Sequence, residues 1–463
     1  MDFIPKSYSL VDELERRRVH LVSLGCPKNR VDSELMVGQM RQGGWDLTQD
    51  PEQADVIVVN TCAFIDSAKQ ESIDTILDMA RYKGAGGAQR LVVTGCMAQR
   101  YGHELAAELP EVDYFLGTNE FKRIVEALEG RLPDREYISY GSALYTSDED
   151  RVNSIRGGSA YLKIAEGCNR TCSFCIIPNI RGKQVSRPLD DLVRETRMLA
   201  AAGVREINLI AQDLTSWGVD LDPRDRLERL LEHLEAVDGI RWIRLHYAYP
   251  WGFTDELLSI VRNSDKVLPY VDMPLQHISD RMLRLMRRAV RARDQRALVE
   301  KLREIPGMVI RTTFITGFPG ETEQEFNELH DWIREVEFDR VGVFPYSREE
   351  NTAAFDLPDQ VPTEVAEARR DALMETQMDI SRRRNEALIG QRLEVLVDGV
   401  SEEHDYVLEG RYYGQAIDID GVVYLSFEDG APPAMPGDLV TVEIDDASTY
   451  DLVGVVVSDS ERG

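Results

Sequence analysis

The first part of the chain alternates short apolar runs with amphipathic helical patterns. The apolar runs are rich in β-branched residues, and each precedes a helical pattern: VHLVSLG before residues 32–40, DVIVVN before residues 67–80, and RLVVTG before the stretch around Leu105. Runs that are apolar throughout and alternate with helices are typical of parallel strands covered on both faces. We therefore predict an α/β domain over residues 18–134, built on a doubly wound parallel sheet.

The middle of the chain repeats a βα pattern six times. Its apolar runs are AYLKIAEG, EINLIAQD, WIRLHYAY, YVDMPLQH, VIRTTFITGF and RVGVFPY, with helical patterns such as residues 189–202 and 254–262 between them. Six such units predict a partial (βα)6 barrel over residues 154–388, with its chemistry at the carboxyl ends of the strands. A polar connector around residues 135–158 precedes this barrel, and a long helical pattern over residues 364–388 ends it.

The end of the chain has a different pattern, in which short apolar runs are separated by Gly, Pro and Asp. These runs are RLEVLVDGV, YVLEGRYYG, VVYLSF and DLVTVEIDD. Short strands with turn residues between them predict a small all-β barrel over residues 391–458. The chain therefore has three predicted domains, which agrees with its length of 463 residues.

Composition and charge limit the classes of protein that this chain can belong to. No apolar run approaches the roughly 20 residues of a membrane span, and the N-terminus, MDFIPKSYSLVDELERRR, lacks the apolar core and cleavage site of a signal peptide. We expect a cytoplasmic protein that does not contact a membrane.

The net charge is −28, and residues 391–463 carry seventeen acidic against three basic residues, a local −14. Such a surface repels nucleic acid phosphates and favours either a basic partner or simple solubility.

The six cysteines fall into two groups of three. In a reducing compartment they are not expected to form disulfides. Cys26, Cys62 and Cys96 each follow one of the three strands predicted in the first domain. Because ligands collect at the carboxyl ends of the strands of such sheets, we expect these three side chains to converge. The alternative is that they are three buried, inert thiols.

The second group is compact, with Cys168, Cys172 and Cys175 directly after the first strand of the predicted barrel. A structural zinc site needs four ligands, and neither a fourth cysteine nor a histidine lies in this loop. Three thiolates instead suit a cubane iron-sulfur cluster with one open iron, where a substrate or cofactor can bind.

The spacing C-x3-C-x2-C at this place in a βα barrel resembles the radical S-adenosylmethionine superfamily. Together with a first domain that carries three dispersed cysteines and a terminal module similar to TRAM domains, it resembles the methylthiotransferases. Within that family, SLGCPKNRVDSE (residues 23–34) and PLQHIS (residues 274–279) are most similar to the branch that modifies a ribosomal protein. The resemblance implies methylthiolation of an aspartate β-carbon on protein twelve of the small ribosomal subunit, by means of a 5′-deoxyadenosyl radical.

The resemblance also implies the cofactors and the residues that hold them. Two 4Fe–4S clusters are expected, one on each group of three cysteines, together with S-adenosyl-L-methionine. Sulfur would be donated at the cluster of the first domain, and an electron donor such as flavodoxin or ferredoxin would reduce the enzyme. No side chain is assigned as a catalytic acid or base.

Five further residues are candidates for contacts with S-adenosylmethionine. Gln212, His246 and Gln276 each end a predicted barrel strand, although each fits equally well as a satisfied polar residue at the rim. Phe174 is a candidate adenine contact by analogy with the family. Gly317 lies in GFPGET, which resembles the superfamily's cofactor-supporting turn but also fits a plain turn with Thr322 as the N-cap of the next helix.

Three hypotheses about function remain open at this point. The leading one is the methylthiotransferase acting on a basic ribosomal protein, either free or within the assembled subunit. A transfer-RNA adenosine methylthiotransferase uses the same chemistry, and RMLRLMRRAVRARDQR (residues 281–296), with seven arginines, could contact RNA; the acidic terminal module argues against it. A noncatalytic metal-binding adaptor that docks on ribosomes is the alternative of a different class.

Overall fold

The computed structural model describes residues 17–84, 87–404, 407–427 and 433–457. These residues divide into two compact units. The first contains residues 17–63, Ser67–Ser139 and Asp150–Val152, and the second contains Phe64–Asp66, Tyr140–Glu149 and residues 153–457. Residues 1–16, which bear on the expected absence of a signal peptide, lie outside the described residues, and so does the predicted end of the last domain at residue 458.

The first unit is built on a six-stranded parallel sheet with the strand order β2-β1-β3-β4-β5-β6. Its strands are β1 Arg17–Ser23, β2 Trp45–Leu47, β3 Val56–Thr61, β4 Arg90–Gly95, β5 Tyr114–Leu116 and β6 Glu136–Tyr137. Its helices are α1 Pro27–Gln42, α2 Asp66–Ala80, α3 Cys96–Glu108 and α4 Ile124–Leu128, with short 3₁₀ turns at Pro51–Gln53 and Phe121–Arg123. All residues of β3 are buried, which explains why the run is apolar on both faces. The predicted doubly wound sheet is confirmed.

The connection from β1 to α1 is shorter than the sequence pattern indicated. We expected helical residues from position 32, but α1 begins at Pro27, directly after Cys26 as the N-cap residue. Proline is favoured in the first helical turn because its missing N–H would have no partner there. Cys26 therefore lies at a helix N-terminus, one residue beyond the tight turn at Gly25, where φ is +90°.

The second unit begins with a six-stranded parallel sheet in the order β14-β13-β12-β11-β10-β7. Its strands are β7 Ser159–Lys163, β10 Glu206–Ile210, β11 Trp242–Leu245, β12 Val267–Asp272, β13 Val309–Thr316 and β14 Arg340–Pro345. The strands β8 Ala165–Glu166 and β9 Val185–Ser186 form a separate two-stranded ribbon. All six predicted barrel strands are present, so the partial (βα)6 barrel is confirmed.

Helices cover the outer face of these strands. They are α5 Ile177–Arg181, α6 Leu189–Ala201, α7 Leu227–Glu235, α8 Asp255–Asn263, α9 Asp280–Leu285, α10 Ala292–Arg303, α11 Glu323–Val336 and α12 Thr363–Glu386, with 3₁₀ turns at Leu214–Ser216 and Pro250–Gly252. A continuous apolar core fills the space between the helices and the outward faces of the strands. No helix in the described ranges has both the length and the apolar character needed to cross a membrane.

The end of the chain is a closed five-stranded barrel in the order β15-β16-β17-β19-β18. Its strands are β15 Arg392–Val400, β16 Leu408–Tyr412, β17 Val423–Phe427, β18 Leu439–Ala447 and β19 Leu452–Val456. The predicted all-β module is confirmed, but its last strand was not predicted. The run LVGVV is short and interrupted by a glycine, and its register with β17 and β18 comes from pairing distant in sequence.

A buried ion network joins this closed barrel to the base of the larger one. Arg411 of β16 donates to Asp398 of β15 at 2.7 and 2.9 Å, and its Nη2 lies 2.8 Å from a carboxylate oxygen of Glu206 in β10. Arg244 of β11 donates from the other side to Glu206 at 2.8 Å and to the carbonyl of Tyr413 at 2.6 Å. Because buried charges persist only when paired, this network fixes the position of the terminal barrel.

Candidate functional site

The three neighbouring cysteines lie in the loop that follows β8, at the carboxyl end of the first barrel strand. The loop begins at Gly167, where φ is +77° and a Cβ would lie 2.3 Å from the carbonyl oxygen of Lys183. A glycine is therefore required for the backbone to pass this point. Further along, Ser173 donates from its hydroxyl to Leu285 O at 2.7 Å and from its N–H to Met286 O at 3.0 Å. These bonds anchor the cysteine loop to the end of α9.

Burial keeps two thiols of this loop, those of Cys168 and Cys175, from ionising readily. Burial raises the pKa of Cys168 to about 11, and the nearby Asp213 carboxylate and the Cys172 thiol reinforce the shift. Burial likewise raises the pKa of Cys175 to about 12, and both neighbouring thiols add to it. A negative charge on one sulfur thus disfavours charge on the others, and a cation is needed to hold all three as thiolates.

Two arginines bring positive charge to this loop. Arg288 is buried, with 9% of the residue exposed, and its Nη1 lies 3.7 Å from the sulfur of Cys172. Arg170 donates to Asp213 at 2.6 Å, and its backbone N–H donates to the Cys168 sulfur at 3.4 Å. The two guanidinium groups lie 4.1 and 4.0 Å from the ring centroid of Tyr249, which both of them contact. This arrangement stabilises a negatively charged group at the thiols.

The donor atoms of this loop limit the metal group that it can hold. Within the described part of the chain, no three or more His, Cys, Asp or Glu side chains already stand in the arrangement of a metal site. The loop is thus a set of three neighbouring cysteines rather than a preformed cage. The chain has six cysteines, and the other three belong to the first unit, so this loop supplies three thiols and no fourth. Three thiolates fit an iron-sulfur cluster in which one iron stays open.

Gln212 lies beside the cysteine loop, next to a buried carboxylate. Its Nε2 donates to Glu166 at 2.5 Å, and Lys163 and Arg181 donate to the same carboxylate at 2.9 and 3.1 Å. Burial opposes ionisation of Glu166, but Arg181 and Lys163 outweigh it and lower its pKa to about 2. The buried Oε1 of Gln212 has no hydrogen-bond partner among the described residues. The amide is therefore fixed at one end and available to a ligand at the other.

The other two polar candidates differ in their surroundings. His246 is fully buried and donates from Nε2 to Asn208 at 3.1 Å, with the rings of Tyr161 and Tyr270 about it. These are contacts of a polar residue inside the barrel, which was the alternative stated for it. Gln276 has φ of +72° and leaves its buried Oε1 without a partner among the described residues. Gln276 thus resembles Gln212 in having an acceptor free for a ligand.

The two remaining candidates have clear packing roles. Phe174 packs against a small apolar cluster that includes Met286 and Phe318. Gly317 has φ of +69°, and a Cβ there would lie 2.2 Å from the Cβ of Ala366 in α12. The turn in GFPGET also fits the alternative interpretation, a plain turn before a helix. Thr322 is the N-cap residue of α11 and forms a reciprocal capping box with Glu325.

Two motifs that are separate in the sequence meet in the structure. His277 of PLQHIS accepts at Nδ1 from the N–H groups of Ile278 and Ser279, so its Nε2 donates to Glu321 of GFPGET at 3.1 Å. Glu321 in turn accepts from the N–H of Gly317 at 2.7 Å. This chain of bonds fixes the ends of β12 and β13 relative to each other.

Sequence reasoning missed several residues of this site, namely Lys163, Glu166, Arg170, Asp213, Tyr249 and Arg288. Asp213 and Glu166 occur in the quoted strand runs, but nothing in the local pattern indicates which cation each one meets. Arg288 occurs in the arginine-rich run, which gave no sign that this arginine alone is buried against a thiol. Burial and partner choice across the barrel depend on contacts distant in sequence.

In the first unit, Cys26, Cys62 and Cys96 follow β1, β3 and β4, which are adjacent strands in the sheet. A Cβ on Gly25 would lie 2.9 Å from the Cβ of Cys62, so the loop that carries Cys26 passes directly by that cysteine. Cys62 and Cys96 are buried, while Cys26 is partly exposed. The predicted positions at the ends of adjacent strands are therefore present.

Asn29 ties these three loops together. Its Nδ2 donates to Leu24 O at 3.1 Å and to Thr61 O at 2.9 Å, and its Oδ1 lies 3.5 Å from the sulfur of Cys96. One amide thus contacts the residues that flank Cys26 and Cys62 and the thiol of Cys96 itself. Asn29 was within the quoted motif SLGCPKNRVDSE but was not singled out, because its partners come from three strands.

Three family models match the chain. They are described as Uncharacterized protein family UPF0004 over residues 18–117, the Radical SAM superfamily over residues 162–333, and the TRAM domain over residues 389–457. The matches follow the same order as the predicted domains.

Curated relatives match nearly the whole chain. A protein of Myxococcus xanthus (strain DK1622), named Ribosomal protein uS12 methylthiotransferase RimO, is 50% identical over 442 residues, which are 95% of this chain and 92% of the relative. A protein of the same name from Geobacter sulfurreducens is 49% identical over 447 residues, 96% of this chain and 99% of the relative.

Solved structures are similar in fold. The radical S-adenosylmethionine methyltransferase TsrM from Kitasatospora setae, solved with cobalamin and a [4Fe-4S] cluster bound, has a TM-score of 0.54 at 16% identity, covering 73% of this chain and 74% of that one. The cobalamin-dependent S-adenosylmethionine radical enzyme OxsB has a TM-score of 0.50 at 12% identity, covering 79% of this chain and 56% of that one. At these identities the likeness concerns the fold alone.

Proposed function

Since the chain belongs to the radical S-adenosylmethionine family of ribosomal protein uS12 methylthiotransferases, we propose that it attaches a methylthio group to the β-carbon of an aspartate on ribosomal protein uS12. The observation that carries this proposal is the loop with Cys168, Cys172 and Cys175 at the end of the first barrel strand, where Arg288 contacts the sulfur of Cys172 and the N–H of Arg170 contacts that of Cys168. An unactivated C–H bond requires radical chemistry, which the bound cofactors supply while the protein positions the reactants.

Cys168, Cys172 and Cys175 would hold one 4Fe–4S cluster. When bound, it supplies the electron that cleaves S-adenosylmethionine to a 5′-deoxyadenosyl radical. Arg288, by its contact with Cys172, would offset the negative charge that three thiolates bring into a buried site. The N–H of Arg170 would do the same at Cys168.

Cys26, Cys62 and Cys96 would hold a second 4Fe–4S cluster, at which the sulfur to be donated is carried. Their positions after three adjacent strands support this assignment, because side chains at the carboxyl ends of neighbouring parallel strands can share one ligand. The Asn29 amide supports this assignment further, because its contacts hold the three cysteine-bearing loops next to one another without a metal.

Gln212 and Gln276 are the side chains that we propose first for contact with S-adenosylmethionine. Each has a buried amide oxygen without a hydrogen-bond partner among the described residues, and the cofactor's ribose hydroxyl and amino groups can donate to such an oxygen. Phe174 and Gly317 remain proposals that rest on the family resemblance, and His246 remains one that rests on its position at the end of a barrel strand. Their packing contacts give each of them a structural role as well.

The protein substrate would be recruited by the acidic surface of the terminal barrel. The exposed acidic residues in its described part are Glu394, Glu402, Glu403, Asp418, Asp438, Asp445 and Asp446. Arg411, one of its two described arginines, is buried, and the other, Arg392, is paired with Glu443 at 3.1 Å. Ribosomal proteins are typically basic, so charge complementarity would steer association.

We further propose a cytoplasmic location, an electron donor such as flavodoxin or ferredoxin, and the domain limits 18–134, 154–388 and 391–458.

An intact-mass assay tests the proposed substrate. The anaerobically reconstituted enzyme receives S-adenosylmethionine, a reductant and either purified uS12 or unmodified transfer RNA. We expect one methylthio group on the protein, located to an aspartate by peptide fragmentation, and none with Cys168→Ala. A gain on the RNA alone would contradict the protein substrate, and a reconstituted enzyme that binds zinc rather than iron would instead fit the noncatalytic adaptor.

A further inference from the structure

A cavity of about 520 Å³ lies at the rim of the larger barrel, next to the three-cysteine loop. It is lined by Trp251, Asp280, Arg284, Arg288, Ala289, Val290, Arg291 and Asp294. Arg288, which contacts Cys172 with one nitrogen, is thus shared between the thiol loop and this cavity. The proposed function uses none of the other lining residues.

Arg284 and Arg291, which line this cavity, form no ion pair in the described part of the chain, whereas three other arginines of the same run do. Arg281 is paired with Glu325, Arg293 with Asp294, and Arg296 with Glu335. The exposed side chains of Arg284 and Arg291 have no ion pair and no hydrogen bond in the described part of the chain. Both guanidinium groups at this cavity therefore keep donors that no described side chain or backbone group occupies.

The buried wall of the cavity points to an anion. Arg288 is 91% buried, and its Nε has no hydrogen-bond partner among the described residues. Two carboxylates also line the cavity, but both are engaged: Asp280 accepts from the N–H of Ala292 at 2.8 Å, and Asp294 faces Arg293 at 3.3 Å. Donors therefore remain for a ligand, and each of the two carboxylates already has a partner of its own.

An aromatic side chain stands at the mouth of the same cavity. Trp251 is 67% exposed, although an indole ring normally finds apolar cover. A flat exposed ring beside unpaired guanidinium groups is the combination that binds single-stranded RNA, because phosphates meet the arginines while a base stacks on the ring. An acidic peptide would use the arginines but leave the ring exposed.

We infer that this cavity binds a phosphate and the adjoining base of single-stranded RNA. The inference rests on the proposed function in one respect: it means that the enzyme meets its protein substrate within an RNA-containing particle. The acidic terminal barrel would then contact the basic protein, and the cavity would contact RNA next to it. The two surfaces have opposite charge because they bind opposite partners.

Fluorescence anisotropy with a labelled single-stranded oligouridylate and the full-length enzyme tests this directly. We expect Arg284→Ala/Arg291→Ala to weaken binding about tenfold or more and to lower the slope of log K against log salt by about 0.7, the contribution of one phosphate contact on a single strand. Trp251→Ala should weaken binding by about fivefold or more, the loss of one stacked base. Both variants change exposed side chains, and their melting temperatures should match that of the unchanged protein.

The matched control is Arg296→Ala/Arg334→Ala, which removes the same charge from arginines paired with Glu335 and Asp331. It should retain RNA binding within about twofold. Equal loss in the control, no binding by the unchanged enzyme, or tighter binding of an oligoglutamate of equal charge would each overturn the inference. The assay involves no turnover, so failure here with intact methylthiolation of purified uS12 would reject the RNA site and leave the proposed function standing.

Discussion

The Nη1 atom of Arg288 lies 3.7 Å from the sulfur of Cys172, and this contact is made inside the protein, where Arg288 is only 9% exposed. Arg288 is further fixed by a 2.6 Å bond from Nη2 to the carbonyl of Pro274 and by the face of Tyr249. A permanent positive charge thus stands beside the thiol loop. Its first consequence concerns the ease with which a bound cluster accepts an electron.

Arg288→Gln should make the reduction potential of the barrel cluster more negative. Loss of a neighbouring positive charge disfavours the more negative reduced state, and we expect a change on the order of 60 mV, which is tenfold in a one-electron equilibrium. Redox titration followed by electron paramagnetic resonance measures it. Arg284→Gln is the control, since that exposed arginine has no contact with a thiol; an equal shift in both variants would refute a specific role for Arg288.

Glu206 should make stability depend on pH between about 4.5 and 2. Burial opposes its ionisation, but Arg411 and Arg244 outweigh burial and lower its pKa from 4.5 to about 2. A carboxylate with a lowered folded-state pKa adds stability above pH 4.5 and loses that contribution as pH falls towards 2. Glu206→Gln should therefore cost on the order of 3 kcal/mol at pH 7 and flatten the acid limb of the stability curve.

Calorimetric melting from pH 7 down to the acid transition measures both effects. The control Glu256→Gln changes an exposed glutamate in α8 and should leave the curve unchanged. If Glu206→Gln melts at the same temperature as the unchanged protein at pH 7, the ion network does not hold the terminal barrel in place.

Gly317→Ala should destabilise the protein through α12. The added methyl would lie 2.2 Å from the Cβ of Ala366, and φ of +69° is unfavourable for alanine. We expect a cost of about 2 kcal/mol or more. Ala366→Gly in the same chain should recover part of it by removing the steric overlap.

The double variant separates packing from a cofactor role for Gly317. If Gly317 serves mainly to pack against α12, affinity for S-adenosylmethionine should recover together with the melting temperature. A protein that regains stability but still fails to bind S-adenosylmethionine would show that Gly317 also supports the cofactor.

Gln212→Ala should weaken binding of S-adenosylmethionine about tenfold or more, the range for loss of one or two buried hydrogen bonds. The free Oε1 and the 2.5 Å bond to Glu166 place the amide in a fixed orientation beside the cysteine loop. Calorimetry on the reconstituted enzyme measures the change. Gln377→Ala is the matched control, because that amide also has an unpartnered Oε1 but donates to Phe338 O from α12; similar losses would contradict the assignment.

Sequence patterns predicted the order and type of nearly all elements, because each apolar run forms a strand between helices. The patterns failed where structure depends on distant contacts. The run LVGVV becomes a strand only by pairing with β17 and β18, and α1 begins five residues early because Cys26 and Pro27 form its N-terminus.

The candidate site shows the same limit. The sequence predicted one group of three cysteines from spacing and the other from positions after three strands, since the chemistry of thiols is local to the residue type. The partners that surround the barrel group come from other strands, as with Arg288 on Cys172 and Glu166 on Gln212. A sequence gives no sign of which arginine in a run of seven will be buried.

The central claim is that two separate groups of three cysteines are both needed for methylthio transfer and that only the barrel group is needed to cleave S-adenosylmethionine. The most direct test is mass spectrometry of one anaerobic reaction, reading 5′-deoxyadenosine and methylthiolated uS12 together. The enzyme in which Cys26, Cys62 and Cys96 are alanine should retain about four of about eight irons, form 5′-deoxyadenosine and leave uS12 unmodified. Methylthiolated uS12 from that variant would contradict the account.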